Sequence, residues 1–321
     1  MQHSSQKVDS GIDVWSEYIS CSRETANDMR TDDTLGLLLA GGSGSRLHPM
    51  TLGLNKHLLP IFDKPLIYYP LSTLMLAGSR RIRLVTTPDS TQLYQRLLGD
   101  GSRFGVEITY VTQSRADGIV GALATGLAGQ TCSKMVVMLG DNVLYGVGLG
   151  RHLAEQSPAD GGHIFAVWLE DPSSYGVAYF DGGRLARLQE KPQSSSPGFA
   201  VPGLYFYGSA IADIIDEVAP SERGEREISS LNQALLDSGR LTISELPRGS
   251  IWLDAGSPDR LLDASMTISI LQRRQGLLIG SPEEVAFRKG WIDGNQLTMA
   301  AKAYATGSFA RTHLEKLAFG G

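Results

Sequence analysis

The chain has 321 residues, of which 42% are hydrophobic, and its formal net charge at pH 7 is −5. That length suits one large α/β domain with or without appendages, and no apolar run is long enough to cross a membrane. The acidic balance argues against nucleic acid or an anionic membrane as a partner. The two cysteines lack the spacing of a metal site or a disulfide framework, which favours the reducing cytoplasm.

The first 33 residues differ in composition from the rest of the chain. They are rich in Ser, Asp and Glu and contain no apolar segment of the kind found in signal peptides. Trp15, Tyr18 and Ile19 have the spacing of one face of a short amphipathic helix. The composition nevertheless favours a flexible leader over residues 1–33.

From Leu35 onwards, short apolar runs alternate with helical patterns, which is typical of βαβ units and a mostly parallel sheet. In the first half, the pattern predicts strands over 37–39, 82–87, 106–111 and 135–139 and helices over 67–77, 90–98 and 118–127. In the second half it predicts strands over 162–168, 204–207 and 241–246, a hairpin built on 178–180 and 185–188, and helices over 209–218, 227–238 and 258–278. Several shorter helices are expected in the C-terminal tail.

A glycine-rich turn follows the first predicted strand, over the stretch Gly41-Gly-Ser-Gly-Ser-Arg46. Glycines let the backbone approach a ligand closely and aim its N–H groups inward, which suits a polyphosphate. Arg46 and Lys56 add positive charge beside it. The glycines alone are equally consistent with a tight turn that binds nothing. Leu47 stands where a dinucleotide fingerprint needs a third glycine, and the Gly-Lys-Ser/Thr of a Walker loop is absent.

Two aspartates come at the ends of predicted apolar strands. Asp141 follows the run 135–139, and Asp254 follows Trp252 and Leu253. Ligands of parallel sheets bind at the carboxyl ends of strands, and a pair of carboxylates there suits Mg²⁺, which also takes water and phosphate oxygens. For either residue alone, the cap of a helix or loop is an equally good interpretation.

The tripeptide Glu190-Lys191-Pro192 ends another predicted strand, since proline cannot continue a hydrogen-bonded ladder. A lysine at that place can neutralise a phosphate while the glutamate accepts hydrogen bonds from hydroxyl groups. Taken alone, a solvated surface ion pair would explain the same residues.

Five motifs occur in a fixed order: Leu39-Ala-Gly-Gly-Ser-Gly-Ser-Arg-Leu47, Asn55-Lys-His-Leu-Leu-Pro60, Leu139-Gly-Asp-Asn142, Glu190-Lys-Pro192 and Trp252-Leu-Asp-Ala-Gly256. In this order the chain resembles the sugar-1-phosphate nucleotidylyltransferases, and among them the thymidylyltransferases that act on glucose 1-phosphate. The similarity runs from Leu35 to the C-terminus. It implies a Rossmann-like, mostly parallel mixed sheet flanked by helices, with a small β-rich sugar-binding lobe and a helical C-terminal segment. The expected division is a leader over 1–33, a nucleotidyltransferase domain over 34–265 and a C-terminal segment over 266–321 that makes oligomer contacts.

The resemblance also implies a role for each matching residue. The implied catalytic residues are Arg46, Lys56, Asp141 and Lys191, and the implied metal ligands are Asp141 and Asp254. The implied nucleotide-binding residues are Leu39, Gly41, Gly42, Ser43, Gly44, Gln113 and Gly118. The implied sugar-phosphate-binding residues are Leu139, Tyr175, Gly176, Glu190, Lys191, Val201 and Trp252.

The implied reaction is nucleotidyl transfer from a nucleoside triphosphate, with dTTP favoured, to a sugar 1-phosphate, with glucose 1-phosphate favoured. A phosphate monoester has its second pKa near ~6 and is already an anion at neutral pH. Direct displacement assisted by Mg²⁺ therefore needs no catalytic base. The family also implies a homotetramer, with an effector site between subunits.

Four positions depart from the thymidylyltransferase pattern: His57, Gly121 and Ser230 replace Gln, Gln and Asp, and Pro202 replaces Thr. They leave open a different base (UTP, GTP or ATP), or a cyclitol or modified hexose 1-phosphate of secondary metabolism. A catalytically silent regulatory subunit is a further alternative, against which the intact charged motifs argue.

Overall fold

A computed structural model of the protein describes residues 33–42, 44–115, 117–158, 160–193 and 196–320. The predicted leader, apart from Asp33, and the possible helix at Trp15, Tyr18 and Ile19 lie outside the described residues.

The described chain is built around one large mixed sheet of ten strands. Its strands are β1 Thr34–Ala40, β4 Arg81–Thr86, β5 Glu107–Thr112, β6 Lys134–Leu139, β8 Gly162–Leu169, β9 Gly176–Asp181, β10 Arg184–Glu190, β11 Gly198–Val201, β12 Leu204–Gly208 and β13 Leu241–Glu245. They are joined in the order β10-β9-β11-β8-β12-β6-β1-β4-β5, with β13 paired to β8. Two short ribbons lie outside it, β2 Pro60–Ile61 with β3 Lys64–Pro65, and β7 Asn142–Tyr145 with β14 Ile251–Asp254.

Helices cover both faces of the sheet and extend from one end of it. They are α1 Tyr68–Leu76, α2 Pro88–Leu98, α3 Gly118–Leu127, α4 Leu149–Ala154, α5 Ile211–Ile215, α6 Ile228–Asp237, α7 Pro258–Gln275, α8 Pro282–Arg288, α9 Gly294–Ala301 and α10 Phe309–Gly320. None of the helices in the described ranges combines the length and the apolarity that a bilayer crossing requires.

The sheet has a parallel half and an antiparallel half. Strands β6, β1, β4 and β5 run parallel, whereas successive pairs along β6, β12, β8, β11, β9 and β10 are antiparallel. Strand β13 adds one parallel pairing to β8. The predicted α/β class with a mixed sheet is confirmed. The predicted hairpin is β9–β10, in the antiparallel half, where the resemblance implies the sugar lobe.

The central strand β1 shows why both faces must be covered. All seven of its residues are buried, as expected for a parallel strand between two helical layers. Successive side chains alternate in direction, so Leu35, Leu37 and Leu39 enter one hydrophobic core with α3. Leu38 and Ala40 enter the other core, with α1 and the C-terminal helices.

Two predicted helices are shorter than expected, and one strand pairing was not predicted. The helix expected over 209–218 is only α5, Ile211–Ile215. The helix expected to reach 278 ends at Gln275, because Gly276 takes φ +69° as a left-handed cap. The pairing of β7 with β14 joins segments far apart in sequence, and neither hydrophobic periodicity nor turn residues indicate such a contact.

Candidate active site

The glycine turn and Asp141 lie at adjacent strand ends, as the sequence predicted. Strands β1 and β6 are parallel neighbours with Leu39 opposite Leu139. Beyond the last paired residues, Gly140 N–H donates to the Leu39 carbonyl over 2.9 Å. The carboxyl ends of both strands therefore open at the same edge of the sheet, where ligands of parallel sheets bind.

The glycine turn is approached closely by side chains from two other segments. A Cβ added at Gly42 would lie 3.3 Å from Lys56 Cε, and one added at Gly41 would lie 3.3 Å from Gln113 Oε1. Gly44 has φ +64°, a conformation that glycine adopts without strain, and it leads into a 3₁₀ turn that begins at Ser45. Ser43, predicted to bind nucleotide, lies outside the described residues.

Lys56 and Asp141 form a close ion pair beside this turn. Lys56 Nζ is 2.5 Å from Asp141 Oδ2, with the two side chains 13% and 17% exposed, and Asn142 Nδ2 donates to Asp141 Oδ1 over 2.9 Å. Burial opposes the charged form of Asp141, but the neighbouring Lys56 ammonium outweighs it and holds the pKa of this carboxyl below its ordinary value of 3.8. Asp141 is therefore an anion at neutral pH.

The ribbon β7–β14 places Asp254 next to Asp141. Asp254 is paired with Asn142 in the ladder, and the Ala255 N–H donates to the Asp141 carbonyl over 3.0 Å. Asp254 Oδ1 accepts from the Gly256 N–H at 2.8 Å. A Cβ at Gly256 would lie 3.1 Å from Asp254 Oδ1 and 3.3 Å from an Arg46 guanidinium nitrogen, so Arg46 lies on the same side of Gly256 as this carboxylate.

The donor set at this edge fits a divalent cation that takes only a few protein ligands. Across the described ranges, no cluster of three or more His, Cys, Asp and Glu side chains is arranged to hold a metal. The protein thus offers two carboxylates, and the positive charges of Lys56 and Arg260 now lie against them. Mg²⁺ characteristically takes one or two carboxylates and completes its shell with water and substrate phosphate. The residues present fit that group.

The predicted base-binding residues flank the glycine turn on the other side. Gln113 follows β5, and its N–H donates to the Thr86 carbonyl over 2.8 Å. Gly118 has φ +89° and begins α3, where a Cβ would lie 2.5 Å from the Arg226 carbonyl. Only glycine fits there. Leu39 is buried beneath the turn, 7% exposed.

Four predicted sugar-phosphate residues meet at the edge of the antiparallel half. A Cβ at Gly176 would lie 3.5 Å from Glu190 Oε2 and 3.9 Å from Val201 Cβ. Glu190 Oε1 is 3.5 Å from Lys191 Nζ. Lys191 has φ +39°, a conformation uncommon for a residue with a side chain, and its N–H donates to the Tyr175 carbonyl over 2.9 Å.

The remaining predicted sugar-side residues, Tyr175, Trp252 and Leu139, contact segments next to Asp141 and Asp254. The rings of Tyr175 and Trp252 are 4.7 Å apart. Trp252 Nε1 donates to Asn142 Oδ1 over 2.7 Å, and Leu139 N–H donates to the Gly203 carbonyl over 2.8 Å.

The Tyr175 hydroxyl links the sugar side directly to a carboxylate, because it donates to Asp254 Oδ2. Burial and this hydrogen bond raise the pKa of Tyr175 above its ordinary value. The phenol therefore stays protonated and keeps the contact at neutral pH.

The structure adds site neighbours that the sequence did not reveal. Arg260 Nη1 is 2.9 Å from Asp254 Oδ2, and Ser229 Oγ donates to Glu190 Oε2 over 2.6 Å. Arg223 Nη2 lies 3.9 Å from Glu190 Oε1 and 2.6 Å from Glu227 Oε1. The contacts of Ser229 and Arg223 with Glu190 join segments remote in sequence, so no local pattern marks them. The contact of Arg260 with Asp254 spans six residues across the start of α7.

Three of the four departures from the family pattern are placed as follows. His57 is 1% exposed, with Nδ1 2.7 Å from Asn55 Oδ1, and a Cβ at Gly140 would lie 2.7 Å from its ring. Burial and the Lys56 charge lower the pKa of His57 to about 3, so it packs as a neutral ring. Pro202 is buried between β11 and β12, and Ser230 is exposed on α6.

A family profile described as "Nucleotidyl transferase" matches residues 35–270 of this chain. The chain belongs to the nucleotidyl transferase family. That membership confirms the family implied by the motifs and the predicted enzyme class. The match covers nearly all of β1 and every described strand from β2 to β14. It therefore includes every predicted site residue from Leu39 to Asp254.

Individual relatives agree with this assignment. The chain is 47% identical over 283 residues to a "Glucose-1-phosphate thymidylyltransferase" of Mycobacterium tuberculosis (strain CDC 1551 / Oshkosh), covering 88% of this chain and 98% of the relative. It is 46% identical over 283 residues to the protein of the same name from Mycolicibacterium smegmatis, with the same coverages.

Solved structures of nucleotidyl transferases share the fold. A putative glucose-1-phosphate thymidylyltransferase from Bacillus anthracis, in complex with a sucrose, superposes with TM-score 0.67 at 34% identity and covers 73% of this chain and 94% of that one. A UDP-glucose pyrophosphorylase complexed with UDP-glucose superposes with TM-score 0.63 at 25% identity, covering 74% and 98%.

Proposed function

We propose that the protein transfers a thymidylyl group from dTTP to glucose 1-phosphate and releases pyrophosphate, forming dTDP-glucose. The observation that carries this proposal is the Lys56–Asp141 pair, held at the glycine turn with Asp254 on the adjoining strand. The names of the relatives, which are 40–47% identical, favour thymidylyl transfer over the alternatives with another base or a cyclitol phosphate.

Glucose 1-phosphate is already an anion at neutral pH, since the second pKa of a phosphate monoester is near ~6. Its oxygen can attack the α-phosphorus of dTTP without a base to remove a proton. The difficulties are repulsion between two anions and the alignment of the attack with the departing pyrophosphate. Positive charge and rigid placement address both.

Lys56 and Arg46 supply that charge on the triphosphate side, where they hold the leaving pyrophosphate. Lys191 supplies it on the sugar-phosphate side, at the far end of the same sheet edge. Lys56 is fixed by its contact with Asp141, and Lys191 by a backbone hydrogen bond to Tyr175. The triphosphate and the sugar phosphate would therefore bind side by side at this edge of the sheet.

Asp141 and Asp254 would hold Mg²⁺, whose chemistry when bound is to neutralise phosphate oxygens. The ion pair with Lys56 keeps the Asp141 carboxylate ionised, and the ion pair with Arg260 orients the Asp254 carboxylate. The Tyr175 hydroxyl holds the Asp254 side chain from the sugar side.

Glucose is recognised by the group around Glu190. Its carboxylate accepts hydrogen bonds from sugar hydroxyls, and Gly176 and Val201 lie beside it. Leu139 and Trp252 close the apolar side. On the nucleotide side, Gln113 and Gly118 read the base edge, and the glycines at 41, 42 and 44 cradle the triphosphate.

The test is pyrophosphate release over a grid of dTTP, UTP, GTP and ATP against glucose 1-phosphate, other hexose 1-phosphates and a cyclitol 1-phosphate. We expect the highest kcat/KM for dTTP with glucose 1-phosphate, and dependence on added Mg²⁺. Inactivity of that pair beside turnover of another would overturn the substrate assignment. Inactivity of every pair would support a silent regulatory subunit instead.

We further propose a homotetramer, with the segment 266–321 contributing contacts beyond a catalytic domain over 34–265. On α7, Leu262, Met266 and Ile270 are 57%, 53% and 49% exposed and four residues apart, so they form one apolar stripe on the helix surface. A second copy would cover it. We also propose a cytoplasmic location, where nucleoside triphosphates are available.

A further inference from the structure

Asp117 stands where a helix cap is expected, yet its side chain does not cap. It is the N-cap residue of α3, and aspartate at that position usually accepts a hydrogen bond from the second or third helical N–H. Here no such bond forms. Instead Asp117 Oδ1 accepts from Gln113 Nε2 over 2.6 Å. The Asp117 side chain therefore contacts Gln113, a predicted base-binding residue, and not the first N–H groups of its own helix.

This contact determines how the Gln113 amide is turned. The donor of this bond is Gln113 Nε2 and the acceptor is a carboxylate oxygen, so the Gln113 NH₂ group points at Asp117. Its carbonyl oxygen then faces the opposite way, toward the glycine turn, where a Cβ at Gly41 would lie 3.3 Å from it. The nucleotide side of the site is thereby presented with an acceptor rather than a donor.

Gly121 makes this arrangement possible. A Cβ at position 121 would lie 2.0 Å from Asp117 Oδ1 and 2.2 Å from Asp117 Cγ, closer than real Cβ atoms approach other heavy atoms. Any other residue would force the Asp117 side chain elsewhere. Gly121 is also one of the four departures from the family pattern, so the space it leaves is a property of this chain.

We propose that Asp117 is a positioning residue that fixes the Gln113 carbonyl toward the nucleobase, in a space that Gly121 alone leaves open. The proposal rests on the proposed nucleotide site and adds the origin of its base preference. Thymine and uracil carry an N3–H donor that such an oxygen accepts, whereas cytosine offers a bare N3 acceptor at the same edge. A fixed acceptor therefore selects against cytosine, because two acceptors facing each other leave both unpaired.

The first variant is Asp117→Asn. The asparagine amide can donate as well as accept, so Gln113 is free to turn and offer its NH₂ group to the base. We expect the ratio of kcat/KM for dTTP to that for dCTP to fall by about tenfold to hundredfold, the range that one mispaired buried hydrogen bond commands. A role confined to helix stability would lower both values together and leave the ratio unchanged.

The second variant is Gly121→Ala, which displaces Asp117 without altering it. Alanine is favoured over glycine inside a helix, so the melting temperature of the G121A variant should not fall. A loss of discrimination between dTTP and dCTP can then not be ascribed to unfolding. Gly53→Ala is the matched control, because a Cβ at Gly53 meets nothing within 4 Å. We expect the dTTP/dCTP ratio to fall in G121A and to stay at the wild-type value in G53A.

Binding without turnover separates this proposal from the proposed reaction. Calorimetric titration of dTTP and dCTP in the absence of sugar phosphate measures the preference for dTTP over dCTP as a ratio of two dissociation constants. If the wild type prefers dTTP and both variants lose that preference, the proposal holds even should glucose 1-phosphate prove inert. An unchanged ratio in G121A, or a wild type that binds dCTP as tightly as dTTP, would overturn it. If D117N fails to fold, G121A decides.

Discussion

Lys56 Nζ and Asp141 Oδ2 lie 2.5 Å apart at the carboxyl edge of the parallel strands, each side chain less than one fifth exposed. The cation that would hold pyrophosphate and the carboxylate that would hold the metal are therefore partners before any substrate binds. Breaking a pair that is this buried leaves an uncompensated charge. Function and local stability are thus joined in two side chains.

Replacing either partner should lower the rate, but with different signatures. We expect Asp141→Asn and Lys56→Met each to reduce kcat by about 100-fold or more, the usual effect of removing one preorganised electrostatic group from a site. Only D141N should also raise the Mg²⁺ concentration needed for half-maximal rate. Steady-state pyrophosphate release at varied Mg²⁺ measures both quantities, with Lys302→Met on the C-terminal surface as the control. Full turnover by D141N would contradict the metal assignment.

The neutral His57 predicts how stability changes with pH. Its pKa is lowered from 6.5 to about 3 in the fold, mainly by burial. Below pH 6.5 the unfolded chain binds a proton at His57, whereas the folded protein leaves this ring neutral until the pH approaches 3. The stability that neutral His57 contributes is therefore complete above pH 6.5 and declines as pH falls toward 3, by up to about 1.4 kcal/mol per pH unit.

Urea unfolding of the wild type and of His57→Gln at pH 7, 6, 5 and 4 tests this slope. We expect the wild type to lose about 2–3 kcal/mol more than H57Q between pH 6 and pH 4, because one proton fewer is linked to unfolding in the variant. His48→Gln, at an exposed position, should follow the wild-type slope. Parallel curves for wild type and H57Q would show that the ring is protonated inside the fold.

Ser229 predicts a selective effect on the sugar substrate. Its hydroxyl donates to Glu190 Oε2 over 2.6 Å and holds that carboxylate beside Gly176. We expect Ser229→Ala to raise the KM for glucose 1-phosphate by about tenfold or more, since one hydrogen bond to a charged group contributes about 1.5–3 kcal/mol, while the KM for dTTP stays constant. Ser230→Ala, next to it on the exposed side of α6, is the matched control. Equal changes in both KM values would point to a general distortion of the site.

The apolar stripe on α7 predicts a change in assembly. We expect Leu262→Glu combined with Met266→Glu to shift the protein to smaller species, because charged groups oppose burial between subunits. Sedimentation velocity reports the masses. Val147→Glu changes another exposed apolar residue, which is 53% exposed and does not belong to α7, and should leave the assembly intact. An unchanged mass in the double variant would place the subunit contacts elsewhere.

The sequence predicted the parts of this molecule that have local signals. Strand β6 and helix α3 come within one residue of their predicted bounds, since their apolar runs are bounded by a glycine or a charged residue. The glycine turn and the two aspartates were predicted as one site because parallel strands share an edge. The structure does bring them together.

The rest depended on contacts that no local pattern encodes. Nothing around Arg260 indicates that it reaches Asp254, and nothing at Asp117 indicates that it faces Gln113 rather than capping its own helix. The substitution at Gly121 was visible in the sequence as a departure from the family. The Asp117 carboxylate, which occupies the space that a side chain at position 121 would take, cannot be inferred from the sequence.

The small ribbon β7–β14 also sets the order in which the site can be completed during translation. Every strand of the large sheet precedes β14 in the chain, and Trp252 donates to Asn142 across 110 residues. A nascent polypeptide can therefore assemble the whole sheet while residue 254 is still inside the ribosome. Until that residue emerges, the growing protein has only one of the two carboxylates that the proposed metal site would use.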